Sequence, residues 1–430
     1  MTALLVKNIS RLAGIELQNR LMHAGRDMSV MESIADAFLY VENGVIRDFG
    51  TMNSLKGRIT ADGRYMPVGS DGVGKPITVV DAEGGMVLPS FCDSHTHIVY
   101  ADSREHEFVD KIRGLSYAEI ARRGGGILNS ADRLHEMSER ELYSQAMCRV
   151  NEIISKGTGA VEIKSGYGLN TADELKMLRV IRHIAETSPV KVVSTFLGAH
   201  AVGREYAGRQ SEYVDMLIRE MIPEVGREHL ADYIDVFCDE GFFTPEETAR
   251  ILEAGAEWGM KPKIHGQELA DSGGVRVAVE HGALSVDHLE SMTDDDIRML
   301  KGTQTIPTAL PGTSFFLNMP FAPGRKIIDS GLPLAIASDY NPGSTPSGDM
   351  KFAVSLACIK MRLLPEEALN AATINSACAM GLGTDYGSIT VGKVANFYIT
   401  RPIPSLDFIP YAYTTPIICR IFLRGEEWKG

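Results

Sequence analysis

The chain of 430 residues has no Cys-x-x-Cys pair: its six cysteines stand alone at 92, 148, 238, 358, 378 and 419. Neither a disulfide framework nor a thiolate zinc cluster is indicated by such spacing. No apolar run approaches the ~18–20 residues of a membrane span. The first residues, MTALLVKNISRLAG, form too short an apolar stretch for a secretory signal and lack an arginine-rich transit pattern, so the cytoplasm is the expected compartment. Positive charge is also in short supply, with 43 Lys and Arg against 56 Asp and Glu for a net charge of −13. A general nucleic-acid surface needs a basic patch and is not expected. A small anionic substrate is compatible with this balance, because one local arginine outweighs a diffuse negative field. What is present is ordinary for a globular protein, 44% hydrophobic and 23% charged, and long enough for a barrel-sized domain plus a smaller one.

Both ends of the chain read as β-rich. Ala3–Val6 is followed by Ala37–Val41, an Asn43-Gly44 turn and Val45–Phe49, a strong hairpin signal. Gly387–Ile389, Val394–Ile399 and Ile417–Leu423 echo it at the far end. One small β-sandwich built from residues 1–85 and 385–430 is expected, with 86–384 forming the main domain. There, apolar runs at Met86–Asp93, Ala160–Ser165, Val192–His200, Tyr233–Cys238, Pro262–His265, Leu284–His288, Thr305–Leu310 and Leu334–Asp339 alternate with helical patterns. Thr171–Glu186 opens with a capping-box signature, Thr171 to Glu174, and Thr244-Pro245 opens the next clear helix. Eight such runs predict an α/β fold of the (β/α)₈ TIM-like barrel type, with an open doubly wound sheet as the alternative. Gly124-Gly125-Gly126, after Arg122-Arg123, reads as a mobile loop over the barrel mouth.

Barrel enzymes carry their chemistry at the C-terminal ends of the strands. Run one ends in Asp93-Ser94-His95-Thr96-His97, where alternation turns both imidazoles to one face and lets them share a metal ion. Run two ends in Lys164-Ser165-Gly166-Tyr167-Gly168, and run three in His200. Run five gives His265, with Glu268 three residues on; run six gives His288; run eight gives Asp339, followed by Tyr340-Asn341-Pro342-Gly343-Ser344. Imidazole and carboxylate donors without thiolates suit Zn²⁺ or Fe²⁺, and a metal so held brings the pKa of water toward ~7. Asp339 is the expected proton acceptor, Glu268 the group that passes the proton to a leaving nitrogen, and His288 a weak ligand or an oxyanion donor. The other histidines, 23, 106, 135, 183, 229 and 281, are expected at the surface.

This constellation resembles the amidohydrolase superfamily of metal-dependent hydrolases. Within it, SREHEF (103–108), GGGI (124–127), EIKSGYGL (162–169), FLGAH (196–200), DVFCDEGFF (235–243), DHLE (287–290) and SDYNPGS (338–344) are similar to the imidazolonepropionase family over essentially the whole chain. The resemblance implies hydrolysis of 4-imidazolone-5-propanoate to N-formimidoyl-L-glutamate. It implies a metal site of His95, His97, His265 and Asp339, holding zinc or iron (Fe²⁺ or Fe³⁺). Arg104 would hold the propionate, since guanidinium pairs bidentately with carboxylate. Tyr167, His200, Glu268, Asn341, Gly343 and Ser344 would line the substrate site, with Glu268 and His288 handling protons. Run four ends Cys238-Asp239-Glu240, without the lysine that bridges two metals in some relatives, so one metal per chain is expected. A homodimer is implied, and no nucleic-acid or membrane partner. The rival readings are a nucleobase deaminase, which needs no cation for a propionate, and a barrel that has lost its chemistry.

Overall fold

The computed structural model describes residues 3–60, 64–67, 77–115, 119 and 125–430. Arg122, Arg123 and Gly124 of the glycine loop lie outside the described residues. Eight strands pair in parallel in the order of the chain: Phe91–Asp93, Thr158–Lys164, Lys191–Ala199, Tyr233–Cys238, Lys261–Gly266, Ser285–His288, Ile306–Ala309 and Ala335–Ile336, here strands one to eight. Most are buried along their whole length, as parallel strands covered by helices on the outside must be.

Strands one and eight are the shortest, and the ring closes just beyond them. Thr96 bridges Tyr340 in parallel. The amide of Asp339 donates to the carbonyl of His95 (3.0 Å), and that of His97 to Tyr340 (2.9 Å). Asp93 fastens the same seam from below, its carboxylate accepting from the amide (2.9 Å) and hydroxyl (2.5 Å) of Ser338. Burial is the first cause that lifts this carboxyl to about 7, against the bonds from Ser338. The paired histidines therefore lie on the extended continuation of strand one, whose other side is held by the amide of Lys164 donating to Thr96 (2.9 Å).

A second, eight-stranded sheet is drawn from both ends of the chain. Ala3–Ile15 is its spine. A bulge at Asn8, with φ of 54°, lets one edge of that strand pair first with Thr78–Asp81 and then with Met86–Pro89. The hairpin at Asn43-Gly44 is present between Glu32–Glu42 and Val45–Thr51, both turn residues having positive φ (52° and 76°). Val45 in turn bridges Val394, so the sheet wraps around its own core of Val6, Leu12, Leu39, Phe397 and Phe422.

Three expectations are corrected. The run Met86–Asp93 is not one strand. Met86–Pro89 belongs to the terminal sheet, and the chain changes partner at Ser90, whose amide donates to Asn396, while that of Phe91 donates to Gly157. Only Phe91–Asp93 enters the barrel. Helix Thr171–Thr187 is capped by Asn170, not Thr171, and Glu174 does not close a capping box. Its buried carboxylate instead accepts from the amides of Gly166, Gly168 and Leu169 (3.1, 2.7 and 3.0 Å). Finally, His23 is buried rather than at the surface. It packs beneath the barrel, with Nε2 3.1 Å from Glu16 and its amide donating to Asn375 (2.8 Å).

Candidate active site

Four histidines and an aspartate meet at the C-terminal mouth of the barrel, all buried. Two overlapping triads, His95–His97–Asp339 and His95–His265–His288, each bring their donor atoms within 4.8 Å of one another. Nε2 of His95 lies 3.3 Å from Nε2 of His97, and Oδ1 of Asp339 stands 3.6 and 3.5 Å from the same two nitrogens. Nδ1 of His95 faces Asp287 at 2.7 Å and is assigned its proton, leaving Nε2 as a lone pair aimed at the others. Nε2 of His265 has no hydrogen-bond partner among the described residues. An orphaned buried nitrogen beside converging lone pairs and a carboxylate oxygen is the donor set of a divalent cation, and these residues fit one. Burial, then Lys164 for His95 and the neighbouring imidazoles for His97, hold both well below the ordinary imidazole range, so both are neutral and available as donors.

Behind these ligands lies a layer of buried charge. Asp287 backs His95, and Asp235 lies 3.0 Å from Nδ1 of His265. Lys164 joins the two, donating to Asp235 (2.7 Å) and Glu162 (2.5 Å) with Asp287 at 3.8 Å. Lys263 pairs with Glu162 from the other side. Carboxylates that accept from ligating histidines fix the ring orientation and raise its basicity. Burial raises Asp235, but His265 and Lys164 outweigh it and hold its carboxyl well below the usual range.

The proton-handling groups sit on the opposite wall. Glu268 is placed by Asp239 at the end of strand four, whose carboxylate accepts from the amides of Glu268, Leu269 and Ala270. Its own carboxyl is lifted to about 8, first by burial and then by Glu290, Asp339 and Asp239, against the pull of His288. His288 has Nδ1 3.5 Å from Glu268 and 3.7 Å from Glu290. Burial opposes its cation, but those two carboxylates and Asp339 prevail and raise it to about 10. His288 thus stands both in a donor triad and against two carboxylates, and each of its expected roles, weak ligand and oxyanion donor, has a geometric basis. The strand ends carrying these groups are strained: His288 and Leu289 take φ of 89° and 73°, and Asp339 takes 55°.

These groups open onto a cavity of about 590 Å³. It is lined by His97, His265, His288, Asp339 and Glu268, and by all the expected substrate residues: Arg104, Tyr167, His200, Asn341, Gly343 and Ser344. Tyr167 is carried on the loop that Glu174 holds. The ring of His200 stacks on His97 at 5.2 Å, and its Nδ1 donates to the carbonyl of Gly166 (3.0 Å), which turns Nε2 into an acceptor. Burial, then His265, pulls His200 down to about 3. Gly166, with φ of 112°, must be glycine, because a Cβ would meet Nδ1 of His200 at 2.9 Å. Asn341 reaches the cavity with its amide already used, accepting from the amides of Gly343 and Ser344 (2.8 Å each) and donating to the carbonyl of Asp339 (2.7 Å). It shapes the turn more than it offers groups to a ligand.

Sequence reasoning missed several residues. Asp235, Asp287 and Asp239 do their work through other side chains, and no spacing rule marks them. Thr313 donates to Oδ2 of Asp339 (2.6 Å), as Ser344 does (3.1 Å), from a helix that follows strand seven. Lys111, Phe237, Phe242 and Met319 line the cavity as well. Lys111 alone had a readable signal, standing two helical turns after Arg104.

A closed parallel barrel with histidines and an aspartate at its C-terminal mouth defines an amidohydrolase. A sequence model described as "Amidohydrolase family" matches residues 242–418. Among solved structures, Escherichia coli guanine deaminase superposes with a TM-score of 0.73 at 14% identity, covering 100% of this chain and 99% of its own. An atrazine chlorohydrolase from Arthrobacter aurescens, complexed with zinc, gives a TM-score of 0.70 at 15% identity, covering 99% and 94%. At these identities the likeness is one of fold. Sequence relatives are more particular. An imidazolonepropionase of Christiangramia forsetii is 53% identical over 98% of this chain and 99% of its own, and one of Flavobacterium johnsoniae 50% identical over 98% and 99%. The chain belongs to the imidazolonepropionase family.

Proposed function

We propose that the chain hydrolyses the ring amide of 4-imidazolone-5-propanoate to N-formimidoyl-L-glutamate, the third step of histidine degradation. The observation that carries this reading is a single cavity lined by both the cation cage and Arg104. The substrate has matching ends, a ring carbonyl to be attacked and a propionate to be held. His95, His97, His265 and Asp339 would hold one divalent ion, zinc or iron. Such an ion supplies Lewis acidity, lowering the pKa of water toward ~7 and polarising a carbonyl.

The chain's own residues do the rest. Water adds to the ring carbonyl carbon, and the ring C–N bond breaks. His288, as a cation, donates to the oxygen that gains charge. Glu268, protonated near neutral pH, gives its proton to the departing nitrogen and takes one from the water-derived oxygen. Asp339, whose outer oxygen also accepts from Thr313 and Ser344, is the carboxylate left to take the first proton of the attacking water. His200 Nε2 accepts from a ring N–H. Family membership supports a homodimer and a cytoplasmic location; sedimentation and cell fractionation check these. No helix of the described residues is long and apolar enough to cross a membrane.

Incubation of the metal-loaded protein with imidazolone propionate, followed by mass spectrometry, is expected to show formation of formimidoylglutamate. Release of ammonia from a nucleobase with the imidazolone untouched would favour the deaminase instead. The role of Glu268 predicts a pH profile. Its carboxyl is raised above its free value, so the proton is present below about 8 and lost above it, and kcat/KM should fall along a one-proton limb as pH rises through about 8. A flat profile to pH 10 would show that Glu268 is not the donor. Arg104 is ion-paired with Glu107. Arg104→Ala thus removes a donor and leaves Glu107 facing the substrate carboxylate, and KM should rise ~100-fold with kcat little changed. An unchanged KM removes Arg104 from substrate binding.

A further inference from the structure

Lys111 occupies the same cavity as Arg104 and has no assigned role. The two stand on one face of the helix Glu105–Ile112 and its cap, and both end on Gly343. The guanidinium of Arg104 lies flat against Gly343, where a Cβ would meet Nη1 at 2.4 Å. Nζ of Lys111 donates to the carbonyl of Gly343 (2.8 Å), which spends one of its three N–H groups and fixes the ammonium in place.

Their charges differ in availability. Arg104 is already matched by Glu107, whose other oxygen accepts from the amide of Gly126 (2.8 Å). No carboxylate lies within 4.0 Å of Lys111 among the described residues. Arg104 and Lys111 thus stand around one carboxylate, Glu107, in a protein of net charge −13. The ammonium is half-buried beside Phe316, 5.6 Å from the ring centre. Burial and then Arg104 work against its charge and Glu107 offsets them only in part, a remaining cost that an incoming anion would relieve.

We propose that Lys111 is a substrate-binding residue: its ammonium supplies the charge that receives the propionate carboxylate, with Arg104 setting the direction of approach. The inference rests on the reading of the substrate above, and the test separates the two. The metal-loaded full chain is assayed on imidazolone propionate and on its neutral propionamide. Lys111→Gln keeps a donor for the carbonyl of Gly343 and removes the charge. It should raise KM for the carboxylate about 10- to 100-fold with kcat nearly constant, leave KM for the amide unchanged, and be largely rescued by Lys111→Arg. An unchanged KM for the carboxylate overturns the assignment. An equal rise for both substrates also overturns it, by showing that Lys111 only supports the turn at Gly343. If the wild-type protein consumes neither compound, the substrate reading fails and this inference with it.

Discussion

His95→Ala is expected to yield a folded protein that neither retains metal nor turns over substrate. His95 is the one residue common to both donor triads, so its loss breaks each of them. The barrel seam survives, because His95 contributes to it through its backbone carbonyl. Asp287 loses its imidazole partner but keeps the hydroxyl of Ser285 (2.6 Å) and the two lysines nearby, so the fold tolerates the change. Metal content after dialysis should fall below about a tenth of an equivalent and turnover by ~10³-fold or more. Elemental analysis beside the assay decides the matter. A variant that keeps a full equivalent of metal, or that loses metal without losing activity, would show that the cage lies elsewhere.

The second large effect is one of stability. Lys164→Met should destabilise the native state by ~3–5 kcal/mol, far more than an exposed ion pair is worth. Lys164, Glu162, Asp235 and Asp287 are all fully buried, and Lys164 is the group that links them. Without it Glu162 and Asp287 share the single ammonium of Lys263, and Asp235 is left with His265 alone. The deficit also has a pH signature. In the wild type Lys164 helps hold the Asp235 carboxyl well below its free value, so this stability is present at neutral pH and lost only as pH falls through that lowered value. In the variant the carboxyls move upward and bind protons in the folded state, so the gap from wild type should narrow as pH falls toward 4. Denaturant melts at several pH values measure it, and Asp235→Asn added to Lys164→Met should restore part of the loss. A variant within about 0.5 kcal/mol of wild type would mean that the buried network adds nothing net.

The side chains of the two donor triads were readable in the sequence because their signal is local. His95 and His97 alternate in an extended segment, and His265, His288 and Asp339 each end an apolar run of strand length. The helix start at Thr244-Pro245 and the Asn43-Gly44 hairpin formed as read, being fixed by contacts within a few residues. The failures share one cause, competition from distant partners. Glu174 has the right spacing to cap its own helix, but three unsatisfied amides in the Gly166–Leu169 loop claim it. Met86–Pro89 is as apolar as a barrel strand, and only its pairing with the two ends of the chain shows where it belongs. Asp235 and Asp287 face inward on strands whose every position is buried, so no alternation of polar and apolar residues sets them apart. His23 looked like a surface histidine because Glu16, nearby in sequence, and Asn375, 352 positions away, are not a pattern that a window can detect.

The seam between the first and last strands carries one further meaning. The main-chain bonds that shut the ring belong to His95, His97 and Asp339, and they connect segments some 245 positions apart. Bringing such remote stretches together is the slow, entropically costly part of assembling a protein like this. The triad His95–His97–Asp339 therefore exists only once the ring is complete. A nascent or truncated chain that lacks its final strand has no Asp339 to complete that triad, and a cation held there would act as a rivet on the joint that was hardest to make.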